Sequence, residues 1–114
     1  MKNINDILLA SNQYQALNEL KQKLFAEFAI ESLSLYGSVA RGEADEESDL
    51  DLLIVTMQPL ARTARHKITD MVFDINLRYG TNFSTFVVDR ESWATGVFSI
   101  LPFREEVLKE SISV

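Results

Sequence analysis

The feature that most constrains the fold is a short apolar run at residues 50–55, which contains a single polar side chain, Asp51. A run of this length that is rich in branched side chains is typical of a buried strand. Before it, residues 32–36 alternate polar and apolar side chains, as a half-buried strand does. Gly37 follows directly, so the chain is expected to leave the first strand through a turn and to enter the second through the acidic segment 43–49.

Helical spacing of apolar residues and the positions of glycine and proline predict the remaining elements. These are one long helix or two consecutive helices at 4–29, a helix at 60–79 ended by Gly80, a strand at 83–88 and a helix at 103–110 that follows Pro102. This order predicts an α+β fold in which helices pack on a small mixed sheet, and 114 residues fit one such domain. An alternative in which residues 72–77 form a strand stays open.

The charge and amino-acid composition of the chain argue against several classes of binding partner and metal site. The formal net charge is −6, so non-specific binding to DNA or RNA, which depends on clustered lysine and arginine, is not expected. The chain contains no cysteine, which excludes disulfides and thiolate metal sites. It has no apolar run long enough to span a membrane and no signal-peptide pattern, so we expect a cytoplasmic protein with no membrane partner.

Two acids, Asp49 and Asp51, stand at the start of the apolar strand. Residues two apart in a strand point to the same face, so the two carboxylates are expected to lie side by side. Left alone they would repel each other, and a bound divalent cation removes that conflict. Oxygen ligands of this kind suit Mg²⁺, which also binds substrate phosphates. An acid pair alone is a weak signal, since a solvated strand end has the same pattern.

The Gly37-Ser38 turn is the second component of the predicted site. Glycine adopts backbone conformations that other residues resist, and it lets a ligand approach the backbone closely. Ser38 offers a hydroxyl and an amide at the start of a short helical turn that Gly42 would end, and amides in that position bind phosphate. Arg41 could neutralise phosphate charge, or it could form a surface ion pair with an acid of the following loop.

The stretch from Tyr36 to Ile54 resembles the nucleotidyltransferase superfamily that includes DNA polymerase beta, and specifically its minimal nucleotidyltransferase (MNT) branch. The family pattern is Gly-Ser, ten intervening residues and Asp-x-Asp, which is matched here by Gly37-Ser38 and Asp49-Leu50-Asp51. The resemblance implies transfer of a nucleoside monophosphate, with AMP from ATP expected, and release of pyrophosphate. It implies that Gly37, Ser38 and Arg41 bind the nucleotide, and that Asp49 and Asp51 are catalytic and hold one or two Mg²⁺ ions.

Active members of this superfamily usually add a third carboxylate from a neighbouring strand, and the predicted strand at 83–88 has no acid in its middle. Asp89, at the end of that strand, is the candidate, although it could instead cap the segment that follows. Asp74 would qualify only if residues 72–77 formed a strand. A hydroxyl from Ser84 or Thr85 is a further alternative.

Three functions remain open. The first, implied by the resemblance, is adenylylation of a partner protein such as a helical HEPN toxin, with this chain as the antitoxin. The second is a catalytically weak or inactive MNT fold that neutralises a partner by contact. The third is transfer to a small molecule. The sequence does not decide the acceptor or whether the chain forms a homo-oligomer.

Overall fold

The computed structural model describes residues 9–42 and 49–114. The helices and strands in these ranges are α1 (Ser11–Glu27), β1 (Ile30–Tyr36), β2 (Leu50–Thr56), α2 (Arg62–Tyr79), β3 (Phe83–Asp89), α3 (Arg90–Ala94), a 3₁₀ helix (Val97–Ile100), α4 (Pro102–Glu110) and β4 (Ile112–Ser113). In these ranges, no helix combines the length and the apolar character that crossing a membrane requires.

The four strands form one mixed sheet in the order β3-β2-β1-β4, which confirms the predicted fold class. β1 pairs with β2 in the antiparallel direction, and β2 pairs with β3 in the parallel direction. β4 adds an antiparallel edge to β1. The central strand β2 is therefore hydrogen-bonded on both sides, which explains why nearly all of its side chains are apolar.

The side chains of β2 alternate between two packed faces of the sheet. Leu50, Leu52 and Ile54 lie in a core with residues of α1 and α2. Leu53 and Val55 lie in a second cluster with aromatic and aliphatic residues of α3, the 3₁₀ helix and α4. Asp51 has the parity of Leu53, so its side chain is directed to the face that carries the second cluster.

Residues 72–77 lie inside α2, which spans Arg62–Tyr79. The alternative in which these residues form a strand is therefore wrong. α2 ends at Gly80, whose φ of 68° is left-handed, as predicted. Of the helix or helices predicted at 4–29, the part at 4–8 lies outside the described residues, and α1 begins at Ser11 with Ala10 as its N-cap. Sequence reasoning missed α3, the 3₁₀ helix and β4, because each is short and has weak periodicity.

The side chain of Asn76 fixes the connection from α2 to β3. Its Oδ1 accepts hydrogen bonds from the Phe83 N–H at 2.8 Å and from the Thr81 hydroxyl at 2.9 Å. Its Nδ2 donates to the Phe83 carbonyl at 3.1 Å. These bonds set where β3 begins, and therefore which residue of β3 lies beside Asp51.

Candidate active site

The turn after β1 is tight and has the predicted helical character. Gly37 has φ 76°, in the left-handed region. The Arg41 N–H donates to the Gly37 carbonyl and the Gly42 N–H to the Val39 carbonyl, each at 3.2 Å. Val39 and Ala40 are buried, so the apolar part of the turn anchors it to the protein. Gly42, with φ 75°, follows the helical turn as expected.

Asp51 lies directly against this turn. It pairs with Tyr36 of β1, so the residue after Tyr36 is its neighbour at the end of the sheet. A Cβ built on Gly37 would overlap Oδ2 of Asp51. The turn and the acid are therefore in contact, and a residue without a side chain is what allows this approach. The structure thus brings Gly37 and Asp51, which are separated by the acidic segment in sequence, into one site.

The environment of Asp51 disfavours its charged form. Partial burial raises the pKa of this carboxyl above its usual value, and the nearby negative charges of Asp49 and Glu110 raise it further, while Arg41 lowers it. Burial, followed by the charge of Asp51, also raises the pKa of Tyr36. Asp49 itself is exposed at the start of β2. The two acids are thus near neighbours, and their mutual repulsion is what a bound cation would relieve.

Glu110, the last residue of α4, is a site residue that sequence reasoning missed. Its Oε1 accepts from the Gly37 N–H at 3.3 Å, and its Oε2 accepts from Arg41 Nη1 at 3.0 Å. Arg41 therefore pairs with α4 in this structure. The sequence-based alternative placed its partner at Glu43 or Asp45, which lie outside the described residues. No local pattern marks Glu110, because its position depends on pairing of β4 with β1.

Asp89 is not brought to the acid pair. In the parallel register Asp51 lies beside Ser84, whereas Asp89 lies beside Thr56, five residues further along, or about 16 Å in a strand. Its carboxylate accepts the Ser92 N–H at 3.0 Å and caps α3, and this bond holds its pKa below the usual value. The capping alternative is therefore confirmed, and the register places Asp89 at the end of β3 away from the acid pair.

The same register separates the two hydroxyl candidates. Ser84 lies beside Asp51 and has the same parity, so its side chain is on the face of the acid. Thr85 lies beside Leu52 and is directed to the opposite face. Asp74 is in α2, where its Oδ2 accepts from Arg78 Nε at 3.0 Å on the protein surface. Among these candidates only Ser84 is adjacent to Asp51.

An aromatic cluster supports the face that carries Asp51. The rings of Tyr36 and Phe103 meet edge to face at 5.7 Å, and Phe86 contacts Phe103 and Phe98 at 5.4 Å each. Trp93 packs on Phe98 and Phe103. Large aromatic side chains in such arrangements are well packed and rigid. The face that carries Asp51 therefore rests on an apolar cluster in which Trp93 is buried and Phe98 and Phe103 are partly buried.

Comparison with known proteins places these observations in a family. A candidate protein adenylyltransferase of Methanocaldococcus jannaschii is 42% identical over 77 residues, which are 64% of this chain and 52% of that protein. The chain thus spans about half the length of this relative. A solved candidate minimal nucleotidyltransferase is similar at a TM-score of 0.60 and 25% identity, over 93% of this chain and 97% of that one.

A chain of a toxin–antitoxin crystal structure with AMP-PNP shares the fold, with a TM-score of 0.58 and 14% identity over 91% of this chain and 72% of that one. The model of the nucleotidyltransferase domain family matches residues 15–96, which include the whole of β1, the Gly37 turn, the acid pair and β3. Because this match covers well over half of the chain, the protein belongs to the nucleotidyltransferase domain family.

Proposed function

We propose that this chain transfers AMP from ATP to an acceptor group on a partner protein. The observation that carries the proposal is the contact between the Gly37 turn and the Asp51 carboxylate. Backbone amides at the start of a tight turn are suited to phosphate, and a carboxylate pair is suited to a divalent cation. Their contact would let one nucleotide triphosphate reach both, which is the arrangement that nucleotidyl transfer needs.

The acids present fit Mg²⁺. Asp51 is partly buried beside Asp49, and a cation would offset both the burial cost and the repulsion that raise its pKa. Within residues 9–42 and 49–114, no cluster of three or more acidic, histidine or cysteine side chains forms a metal site. Two carboxylates are nevertheless a common protein contribution to Mg²⁺, because phosphate oxygens and water complete its coordination. The Ser84 hydroxyl beside Asp51 could hold one such water.

Each residue would act by position and charge. The amides of Gly37 and Ser38 would bind the outer phosphates, and Arg41 would neutralise part of their charge. The acceptor oxygen would bond to the α-phosphorus as the bond to pyrophosphate breaks, and the proton of the acceptor would be released. Mg²⁺ at Asp49 and Asp51 would supply stabilisation of the charge that develops on the phosphates.

A protein acceptor is favoured over a nucleic acid or a small molecule. The relative from Methanocaldococcus jannaschii carries the name of a protein adenylyltransferase. A net charge of −6 disfavours an RNA acceptor. One fold neighbour is a chain of a toxin–antitoxin crystal structure with AMP-PNP. We therefore propose a HEPN-type toxin as the partner, with this chain as its cytoplasmic antitoxin.

Calorimetric titration with ATP, with and without Mg²⁺, tests the nucleotide site. Wild-type protein should bind ATP in a Mg²⁺-dependent manner, and the double variant Asp49→Asn/Asp51→Asn should lose that binding while keeping its circular dichroism spectrum. Asp70→Asn, an exposed acid on α2, controls for the change of charge. Equal affinity of the double variant and of wild type for Mg²⁺-ATP would refute the proposed site.

The alternative of an inactive module that neutralises by contact has one structural observation in its favour, because β3 presents Ser84 rather than an acid beside Asp51. Incubation of the partner with this chain, ATP and Mg²⁺ separates the two. A mass increase of one AMP on the partner, absent with the double variant, would support catalysis. Neutralisation by the double variant without any mass change would support the contact mechanism.

A further inference from the structure

The carboxylate of Glu110 accepts hydrogen bonds from two donors of the Gly37 turn, the backbone N–H of Gly37 and the guanidinium of Arg41. Oε1 accepts from the Gly37 amide and Oε2 from the Arg41 guanidinium, at 3.3 and 3.0 Å. These are two of the groups through which the proposed function would hold the nucleotide phosphates. A carboxylate with two charge-bearing oxygens is bound here by the same kind of donors that bind phosphate.

The fold itself holds Glu110 in this position. β4 pairs with β1 so that Ile112 lies opposite Leu35 and Ser113 opposite Ser34. Glu110 precedes Ile112 by two residues and Gly37 follows Leu35 by two, so this pairing brings the end of α4 close to the Gly37 turn. The Ser111 N–H also donates to the Val107 carbonyl at 2.7 Å, which fixes the end of α4 just before the strand. The chain path therefore places the Glu110 side chain within reach of the Gly37 turn.

We propose that Glu110 acts as a displaceable competitor of the polyphosphate: its carboxylate fills the phosphate position at Gly37 and Arg41, and it must leave when a nucleoside triphosphate binds. The inference rests on the proposed function, because it assigns the Gly37 turn to the outer phosphates. An amide N–H and a guanidinium cannot keep the carboxylate in place and fully engage a phosphate at the same position. Repulsion between the two anions acts in the same direction.

The strength of this contact allows displacement. The side chains of Arg41 and Glu110 are 45% and 25% exposed, so their ion pair is partly screened by water. The bond to the Gly37 amide is long at 3.3 Å. When a binding-competent state is only partly populated, the apparent Kd rises in inverse proportion to its population. For a partly exposed ion pair we expect removal of the competing charge to lower the Kd for polyphosphate about five-fold.

The test compares Glu110→Gln and Glu110→Ala with wild type by calorimetry. Glu106→Gln is the matched control, because it makes the same charge change at an exposed position one turn earlier in α4. Three probes are used, namely Mg²⁺-ATP, tripolyphosphate and AMP. AMP lacks the outer phosphates that would reach Gly37. We expect both Glu110 variants to bind Mg²⁺-ATP and tripolyphosphate about five-fold more tightly, with AMP binding and Glu106→Gln unchanged. The amide resonance of Gly37 should also shift in Glu110→Gln without any ligand.

Each outcome decides between the proposals. If wild type binds Mg²⁺-ATP and neither Glu110 variant binds it more tightly, the inference is wrong and the proposed function stands. Weaker binding by both variants would also overturn it, and would point to Glu110 as a ligand. If neither wild type nor either Glu110 variant binds ATP while Glu110→Ala gains affinity for tripolyphosphate, the proposed AMP transfer fails. Competition between Glu110 and a polyphosphate at the Gly37 turn is then still supported. An unshifted Gly37 amide, or no binding of either polyphosphate by any variant, overturns the inference.

Discussion

Replacement of Gly37 by alanine tests the central contact of the site. Gly37 has φ 76°, and a Cβ there would overlap Oδ2 of Asp51. The substitution therefore has two separate costs, one in the backbone and one in the displaced carboxylate. Gly80→Ala is the matched control, since Gly80 has φ 68° and a Cβ there would meet no heavy atom of the described residues within 4 Å.

The two costs can be estimated independently. A left-handed backbone conformation costs an alanine roughly 1 kcal/mol more than a glycine. Rotating the Asp51 carboxylate away from its preferred position adds about 1 kcal/mol. Gly80→Ala should then lower the free energy of unfolding by about 1 kcal/mol and Gly37→Ala by about 2 kcal/mol. For a domain of this size the difference between the two variants corresponds to about 4 °C in Tm.

Urea unfolding of both variants, of Asp51→Ala and of Gly37→Ala/Asp51→Ala measures these terms. Removal of the carboxylate should relieve the extra cost, so that Gly37→Ala in the Asp51→Ala background costs about as much as Gly80→Ala. Gly37→Ala should also lose Mg²⁺-dependent ATP binding, whereas Gly80→Ala should keep it. The reasoning is refuted if Gly37→Ala is no less stable than Gly80→Ala and binds Mg²⁺-ATP like wild type.

Three further variants probe other parts of the molecule. Burial and the charge of Asp49 raise the pKa of Asp51, so ionisation of Asp51 lowers the stability of the fold as pH rises through that pKa. Without metal, Asp51→Asn should therefore have a higher Tm than wild type at neutral pH and should lose this advantage near pH 4. In a thermal shift assay Asp51→Asn should gain no stability from Mg²⁺. Asn76→Ala leaves the backbone of Phe83 without its side-chain partner and should cost about 2 kcal/mol in urea unfolding, with a smaller loss for Asn76→Asp, which keeps the acceptor. Asp89→Ala removes the cap of α3 and should cost about 1 kcal/mol, while Asp89→Asn restores stability and neither changes the Kd for Mg²⁺-ATP; loss of nucleotide binding in both would contradict the capping role.

The parts of the fold that sequence predicted correctly are those set by local chemistry. The apolar run around Leu52 is typical of a buried strand and forms β2, and Gly80 ends α2 because its left-handed conformation stops the helix. The turn after Gly37 is anchored by the buried side chains of Val39 and Ala40, which directly follow it in the sequence. Such features need no information about distant residues, so a pattern of neighbouring side chains is enough to predict them.

The parts that sequence did not predict depend on pairing between distant segments. Ser84 rather than Thr85 lies on the face of Asp51 because of the β2–β3 register, which no local pattern encodes. Glu110 lies close to Gly37 because α4 packs on the sheet through Val107 and the two-residue strand β4 pairs with the edge of β1. A two-residue strand is too short for a periodic signal, so its consequence for the site was also hidden.

The charges around Asp51 explain why nucleotide binding should depend on the metal. Among the described residues, the carboxylates of Asp49 and Glu110 and the guanidinium of Arg41 act on the carboxyl of Asp51. A nucleoside triphosphate alone would add further negative charge to a site that is already negative, and low local polarity would strengthen the repulsion. A divalent cation would reverse the sign of the interaction at the acid pair, and departure of the Glu110 carboxylate would release the Arg41 guanidinium from their ion pair. Metal binding and carboxylate displacement therefore favour the same liganded state, and each should make the other less costly.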